Sequence, residues 1–217
     1  IALSLVGSEM CIRDRDKSNR HTKSNRQTRA QNESTITLSK FVKMLDEKLI
    51  NLLKNQPKSM AIAELIHDVE KSSTIQLSDS IDLLTGVWEL RWSSASQPWL
   101  KQADWLENLQ VLDPANGRGM NLLKLAGPLG TAAAVTVEAE LCLEGANRVG
   151  VRFRRGGWRG PSLPGGRRLE LFKTVNQSFP AWLDITALTN DLRICRGNAG
   201  TVFALLKRHD KSVSDFL

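Results

Sequence analysis

Histidine is scarce in these 217 residues. The three copies, His21, His67 and His209, fall in a polar leader, a predicted helix and the C-terminal end. No Ser/His/Asp set or metal-spaced cluster forms around any of them, which removes the usual sequence support for catalysis or a resident metal. Cysteine is as rare. Cys11, Cys142 and Cys195 show no CxxC spacing, so neither a disulfide framework nor a zinc site is expected, and a reducing compartment fits. The glycine stretches GPLG (127–130) and GGWRG (156–160) read as turns rather than phosphate-binding loops. No run approaches the roughly 20 apolar residues of a membrane-spanning helix. The expectation is a non-catalytic chain without cofactor, peripheral to a membrane at most.

What the sequence does have is positive charge, +7 net, within an ordinary globular composition of 41% hydrophobic and 24% charged residues. A basic balance raises nucleic acid or an acidic membrane surface as a partner. Yet residues 1–32 hold seven basic and three acidic side chains, so +4 of the +7 sits in the leader. SLVGSEMCIRDR (4–15) resembles translated sequencing-adaptor DNA, so residues 1–15 read as a non-native scar. The rest of a tail over 1–35 is almost free of apolar residues and is expected to be disordered. Asp14, Asp16 and Glu33, with no amphipathic period, argue against a transit peptide. The expected organisation beyond the tail is a helical segment over 36–72, a strand-rich domain over 80–209 and a short tail over 210–217.

Leu38, Phe41, Val42, Leu45, Leu49, Leu52 and Leu53 recur at helical spacing until Pro57 stops the run, and Met60, Ile62, Leu65, Ile66 and Val69 predict a second helix over 58–71. The polar stretch KSSTIQLSDS (71–80) reads as a linker. From LLTGVWELRW (83–92) onward the period is two. Further strands are predicted over 108–113, 119–125, 133–143, 148–155, 167–175, 181–188, 191–196 and 201–206, divided by turn signals, with one helical stretch at 98–107. Each is expected to be apolar on one face only. That pattern predicts an antiparallel β-barrel with a single interior, and about eight strands leave room for side chains or one small ligand. The helical lead-in is expected either to cap one end of the barrel or to cover an exposed apolar patch.

The ending LRICRGNAGTVFALLKR (192–208) predicts a hairpin turning at GNAG, with Leu192, Ile194 and Arg196 on one face and Arg193 and Cys195 on the other. On that alternation Arg196 lies on the apolar face. A buried guanidinium needs a partner that covers its flat side, and Trp88 of the first strand is the candidate.

The Gly-x-Trp of GVWELRW, answered by an arginine in the last hairpin, resembles lipocalin-like barrels, in which an arginine of the final strand lies across the first-strand tryptophan and closes the floor. The helical lead-in, LLTGVWELRWSSA and NDLRICRGNAGTVFALLKR together resemble the plastid lipid-associated protein family, also called PAP or fibrillin, over about residues 40–208. Members typically carry Tyr-Thr where this chain has Trp92-Ser93, and an aromatic residue or aspartate where it has Leu188-Thr189-Asn190. The resemblance implies a lipocalin-like antiparallel β-barrel preceded by two N-terminal α-helices. It also implies binding of isoprenoid or acyl lipids and association with thylakoid membranes or lipid globules. The implied location is the cytoplasm or thylakoid of a cyanobacterium, or a plastid stroma or plastoglobule. The family brings no agreed catalytic residues.

A barrel interior that holds a hydrophobic small molecule is expected to be lined by Trp88, Leu90 and Trp92 of the first strand, Val137 and Leu141, and Val151 and Phe153. Leu169, Leu171, Leu183 and Ile185 complete the set. Trp88, Arg193 and Arg196 are expected to close the structure. RFRRGGWRG (152–160) interleaves Arg152, Arg154, Arg155 and Arg159 with Trp158. Such a cluster suits stacked RNA bases, or anionic headgroups at about 1 kcal/mol per basic residue. On a membrane surface Trp158 and Leu163 would be the interfacial anchors. As one short motif without repeats it makes nucleic acid the secondary reading.

Overall fold

The computed structural model describes residues 37, 39–95, 106–125, 134–162, 164–165, 168–175 and 181–217. The leader over 1–35 and most of the helix expected at 98–107 lie outside the described residues; Leu106 and Glu107 belong to a strand. Internal contacts set Val42–Leu217 apart as one unit, and this unit carries the fold.

Nine strands are present among the described residues: β1 (Gly86–Ser93), β2 (Leu106–Asp113), β3 (Arg118–Leu125), β4 (Ala134–Glu144), β5 (Arg148–Ser162), β6 (Arg168–Thr174), β7 (Ala181–Leu188), β8 (Leu192–Gly197) and β9 (Val202–Lys207). They form one antiparallel sheet in the order β4-β3-β2-β1-β9-β8-β7-β5-β6, and β4 also pairs with β5. The ladder therefore returns on itself through eight strands, with β6 outside the circuit. One long strand makes both connections. Along one edge β5 pairs with β4 over nearly its whole length, while the other edge pairs with β7 over Arg148–Val151 and with β6 over Arg155–Ser162.

That division corrects the expected glycine loop at 156–160, because β5 runs straight through it. Gly157 explains why. A Cβ there would collide with the Leu171 carbonyl of β6, so the missing side chain lets a third backbone approach and the segment is paired on both edges.

Helix α1 spans 39–55 and α2 Ala61–Ser72. Leu45, Leu49 and Leu53 of α1 and Ile62, Leu65, Ile66 and Val69 of α2 pack against Ala187, Leu192, Ile194, Ala204 and Leu206. The helices thus cover the outer face of β7, β8 and β9 and stay off the interior. Each fully buried leucine here contributes about 1.5–3 kcal/mol. Because this outer face is apolar too, β8 is buried on both sides, from Leu192 through Cys195.

The interior end that the helices leave open is filled by 71–84, the stretch expected to be a polar linker and the start of a strand. A 3₁₀ turn at Leu77–Asp79 and the short helix α3 (Ile81–Leu84) place Leu77 and Leu84, both fully buried, beneath Trp88 and Leu205. The chain end covers a third region: Val213, Phe216 and Leu217 pack over Val87, Leu109, Val111, Met120 and Leu122 on the outside of β1–β3.

One polar clamp fixes α2 to the sheet. The Glu70 carboxylate accepts from Arg196 Nη2 at 2.5 Å and Nε at 2.9 Å, and from Thr186 Oγ1 at 2.7 Å. Burial pushes its pKa up, but the hydrogen bonds from Arg196 and Thr186 and the Arg196 charge outweigh that and hold it below the ordinary 4.5. Glu70→Gln is expected to lower stability by about 1–2 kcal/mol at neutral pH, toward the low end because Arg196 is half-exposed. With a depressed folded pKa, the wild-type advantage is present above the unfolded pKa and lost as pH falls through the folded one. Urea unfolding of both proteins at neutral pH and below pH 4.5 checks this; a deficit that stays constant with pH would remove the carboxylate from the account.

Candidate ligand cavity

Inside the circuit of strands lies a cavity of about 520 Å³. Its wall is made by alternate residues of successive strands, because side chains of period two share a face. β4 contributes Val135, Val137, Ala139 and Leu141; β5 contributes Val149, Val151 and Phe153; β7 contributes Leu183 and Ile185; β1 and β9 contribute Leu90 and Phe203. Asn198 and Ala199, both exposed in the β8–β9 turn, mark the mouth. None of the described lining residues carries a charge. The polar ones are Asn108, Gln110, Asn121, Asn198 and Thr201.

The floor is built on Trp88, which is fully buried. Its indole Nε1 donates to the Leu84 carbonyl at 2.9 Å, which ties the first strand to the α3 plug. Two cations lie against the ring, Arg193 Cζ and Lys207 Nζ, each 5.1 Å from its centroid. Lys207 donates to the Leu83 carbonyl at 3.0 Å. Arg193 is fully buried, and its Nη2 donates to Oε1 of Gln110, a residue of the cavity wall. Burial pulls the pKa of Arg193 down, with the Cys195 thiol as the one neighbour that favours its charge. Burial in turn pushes the Cys195 thiol up, more than Arg193 lowers it, so it stands protonated. Lys207 is lowered by burial and by Arg193, against a weaker pull from Asp191.

A model of the PAP_fibrillin family matches residues 39–206. The chain belongs to the PAP_fibrillin family. It is 26% identical over 202 residues to the chromoplast-specific carotenoid-associated protein of Cucumis sativus, a match covering 70% of this chain and 62% of that protein. It is 26% identical over 193 residues to a chloroplastic light-induced protein of Solanum tuberosum, covering 67% and 59%. To the probable plastid-lipid-associated protein 2 of Arabidopsis thaliana it is 27% identical over 195 residues, covering 67% and 62%. The chain thus spans about three fifths of the length of these relatives.

In this PAP_fibrillin chain Leu90, Val137, Leu141, Val151, Phe153, Leu183 and Ile185 stand on the cavity wall, with Trp88 beneath it. Three of the residues expected there do not. The β1–β9 register shifts between Leu90 and Trp92, so a bulge turns Trp92 outward onto the helix-covered face. Leu169 and Leu171 lie on β6, outside the circuit, and are 45% and 73% exposed. The two arginines exchange the roles expected of them. Arg193 is the one over Trp88, while Arg196 lies outside, half-exposed, on Glu70. The alternation holds but the side is reversed, because the face of Leu192 and Ile194 is apolar in order to receive helices.

The basic segment also divides. Arg155 makes a two-pronged pair with Glu138, at 2.6 and 3.1 Å, and stacks on Phe172 at 4.9 Å. Arg154 pairs with Glu140, and Arg159 with Glu170 at 3.0 Å. Arg152 is exposed. Trp158 sits opposite Val135 and Leu171 in the ladder, and so on the other face from Arg155 and Arg159. The interleaving of charge and aromatic in the sequence becomes two separate surfaces, one ion-paired and one apolar. Leu163 lies outside the described residues.

Gln110 and Lys207 are the floor residues that the sequence reading does not single out. Gln110 sits in LENLQVLD, where Leu109 and Val111 form the apolar side, yet that side faces outward under the chain end while Asn108 and Gln110 face the cavity. The outward turn could have been suspected only from the apolar Val213, Phe216 and Leu217 waiting to cover it.

Proposed function

We propose that this chain is a non-catalytic, lipid-associated protein whose strands act as a lipocalin-like barrel around one hydrophobic molecule, an isoprenoid, quinone, carotenoid or acyl lipid. The observation that carries the reading is the uncharged, mainly aliphatic cavity, about 520 Å³, closed at one end by the Trp88 floor and reached from the β8–β9 turn. That volume falls in the range of sites for small molecules. Removing about 300 Å² of apolar ligand surface from water is worth about 7 kcal/mol before ordering costs, enough for useful affinity. The names of the relatives, carotenoid-associated in one case and plastid-lipid-associated in another, support the same ligand class.

A peripheral position at a thylakoid or lipid-globule surface fits the apolar strip across β4 and β6, where Val135, Leu169 and Leu171 are 55%, 45% and 73% exposed. Binding of RNA by the 152–160 cluster is disfavoured by the acidic partners of Arg154, Arg155 and Arg159. Fluorescence titration with a polyene fatty acid, a quinone and a carotenoid is expected to give a saturable response of one site per chain. Flotation with liposomes is expected to survive salt, as apolar docking does. The absence of saturation with every lipid, together with salt-sensitive capture by RNA, would reverse the reading.

A further inference from the structure

We propose that the cavity selects a chain ending in a carboxylate and takes it head first, with the anion accepting from Gln110 at the cavity wall and balanced by the buried charge of Arg193 behind it. The proposal deepens the lipid-binding reading and rests on it. Its starting point is a fully buried guanidinium whose Nε and Nη1 have no hydrogen-bond partner, although each is a donor that costs free energy when left unmade in an apolar interior. Arg193 makes no ion pair with a carboxylate among the described residues. The single group that favours the cation is the Cys195 sulfur, a weak acceptor that burial keeps as the neutral thiol. The other cation on the Trp88 ring, Lys207, adds positive potential.

Gln110 connects this charge to the cavity. Arginine can only donate, so the amide must turn Oε1 toward Arg193 Nη2. That leaves the amide Nε2, which can only donate, as the group Gln110 offers to a ligand. Floor donors are therefore in surplus and acceptors are missing. A neutral hydrocarbon end would leave the surplus as it is. One uncompensated guanidinium calls for one negative charge, and a carboxylate supplies that charge together with an acceptor oxygen for the Gln110 amide. The rest of the wall being uncharged, the anion gains most at this end and the alkyl or prenyl chain fills the remainder.

The full chain, titrated with cis-parinaric acid and with its methyl ester, is expected to bind the acid about 10- to 100-fold more tightly, as a charge-assisted hydrogen bond in a dry site allows. Gln110→Leu and Arg193→Met are expected to bring the ratio of acid to ester affinity to about one. Arg193→Met should fold, since the lost contact with the Trp88 face is offset by removing the desolvation cost of a buried charge that has no ion partner. Carboxyl-labelled palmitate, followed by carbon NMR in the wild-type complex, is expected to stay ionised at pH values where the exposed acid protonates. Equal affinity for acid and ester in the wild type overturns the proposal and leaves the cavity reading intact. Failure to bind either probe overturns both. An acid preference that survives in both variants puts the anion elsewhere and overturns the proposal. Where a variant fails to fold, the wild-type ratio and the labelled carboxyl decide.

Discussion

Trp88→Ala is expected to destabilise the protein by about 3–5 kcal/mol. The ring is fully buried at the point where three parts of the chain meet: β1, the α3 plug through Nε1 and Leu84, and the last hairpin through Arg193 and Lys207. Truncation leaves a cavity and an unmet carbonyl. It also leaves two cations without the π face that offsets part of their desolvation, a contact worth about 0.5–2 kcal/mol each. Against a total stability of about 5–15 kcal/mol such a loss is decisive. Trp88→Phe separates the contributions, because it keeps an aromatic face and gives up the Nε1 bond, and is expected to cost about 1–2 kcal/mol. Urea midpoints measure both. A Trp88→Ala midpoint near that of the wild type would mean that the floor is held by the plug alone.

Most strand boundaries were legible in the sequence to within a few residues, because period-two alternation and turn residues are local signals; the end of β5, which runs on to Ser162, was not. Facing was legible only where one side of a strand is polar. On β4, Glu138 and Glu140 alternate with Val137, Ala139 and Leu141, and the wall residues follow directly. On β8 and β9 both sides are apolar, one for the interior and one for the helices, so alternation alone could not say whether Arg193 or Arg196 turns inward. Bulges erase parity without leaving a trace in composition. The shift between Leu90 and Trp92 turns Trp92 to the helices, and a matching shift between Ile185 and Ala187 does the same for Ala187. β6 pairs with β5 outside the circuit, a matter of which edge was vacant, so the alternation of Leu169 and Leu171 indicated a wall that is not built there. The plug was concealed because Ile75 and Leu77 are the two apolar residues of an otherwise polar stretch, and Leu77 is held by the hydrogen bond from its N–H to the Ala146 carbonyl, far along the chain.

Filling the cavity should abolish ligand capture without harming the fold, and Ala139→Phe is the substitution that does so with least disturbance. Ala139 lines the wall between Gly119 of β3 and Phe153 of β5 in the ladder, and its methyl is the smallest side chain that β4 presents to the cavity. A phenyl ring there takes up volume that an apolar chain would need and adds an aromatic neighbour to Phe153. Stability is expected to hold or rise by about 1 kcal/mol, as cavity-filling substitutions commonly do. Affinity for cis-parinaric acid is expected to fall at least about tenfold, equivalent to about 1.4 kcal/mol. Pairing these two readouts matters, since lost binding in a destabilised protein would say nothing about the cavity. Undiminished binding by a stable Ala139→Phe protein would place the lipid on the exposed Leu169 and Leu171 of β6, outside the circuit, and the interior would then be packing rather than a site.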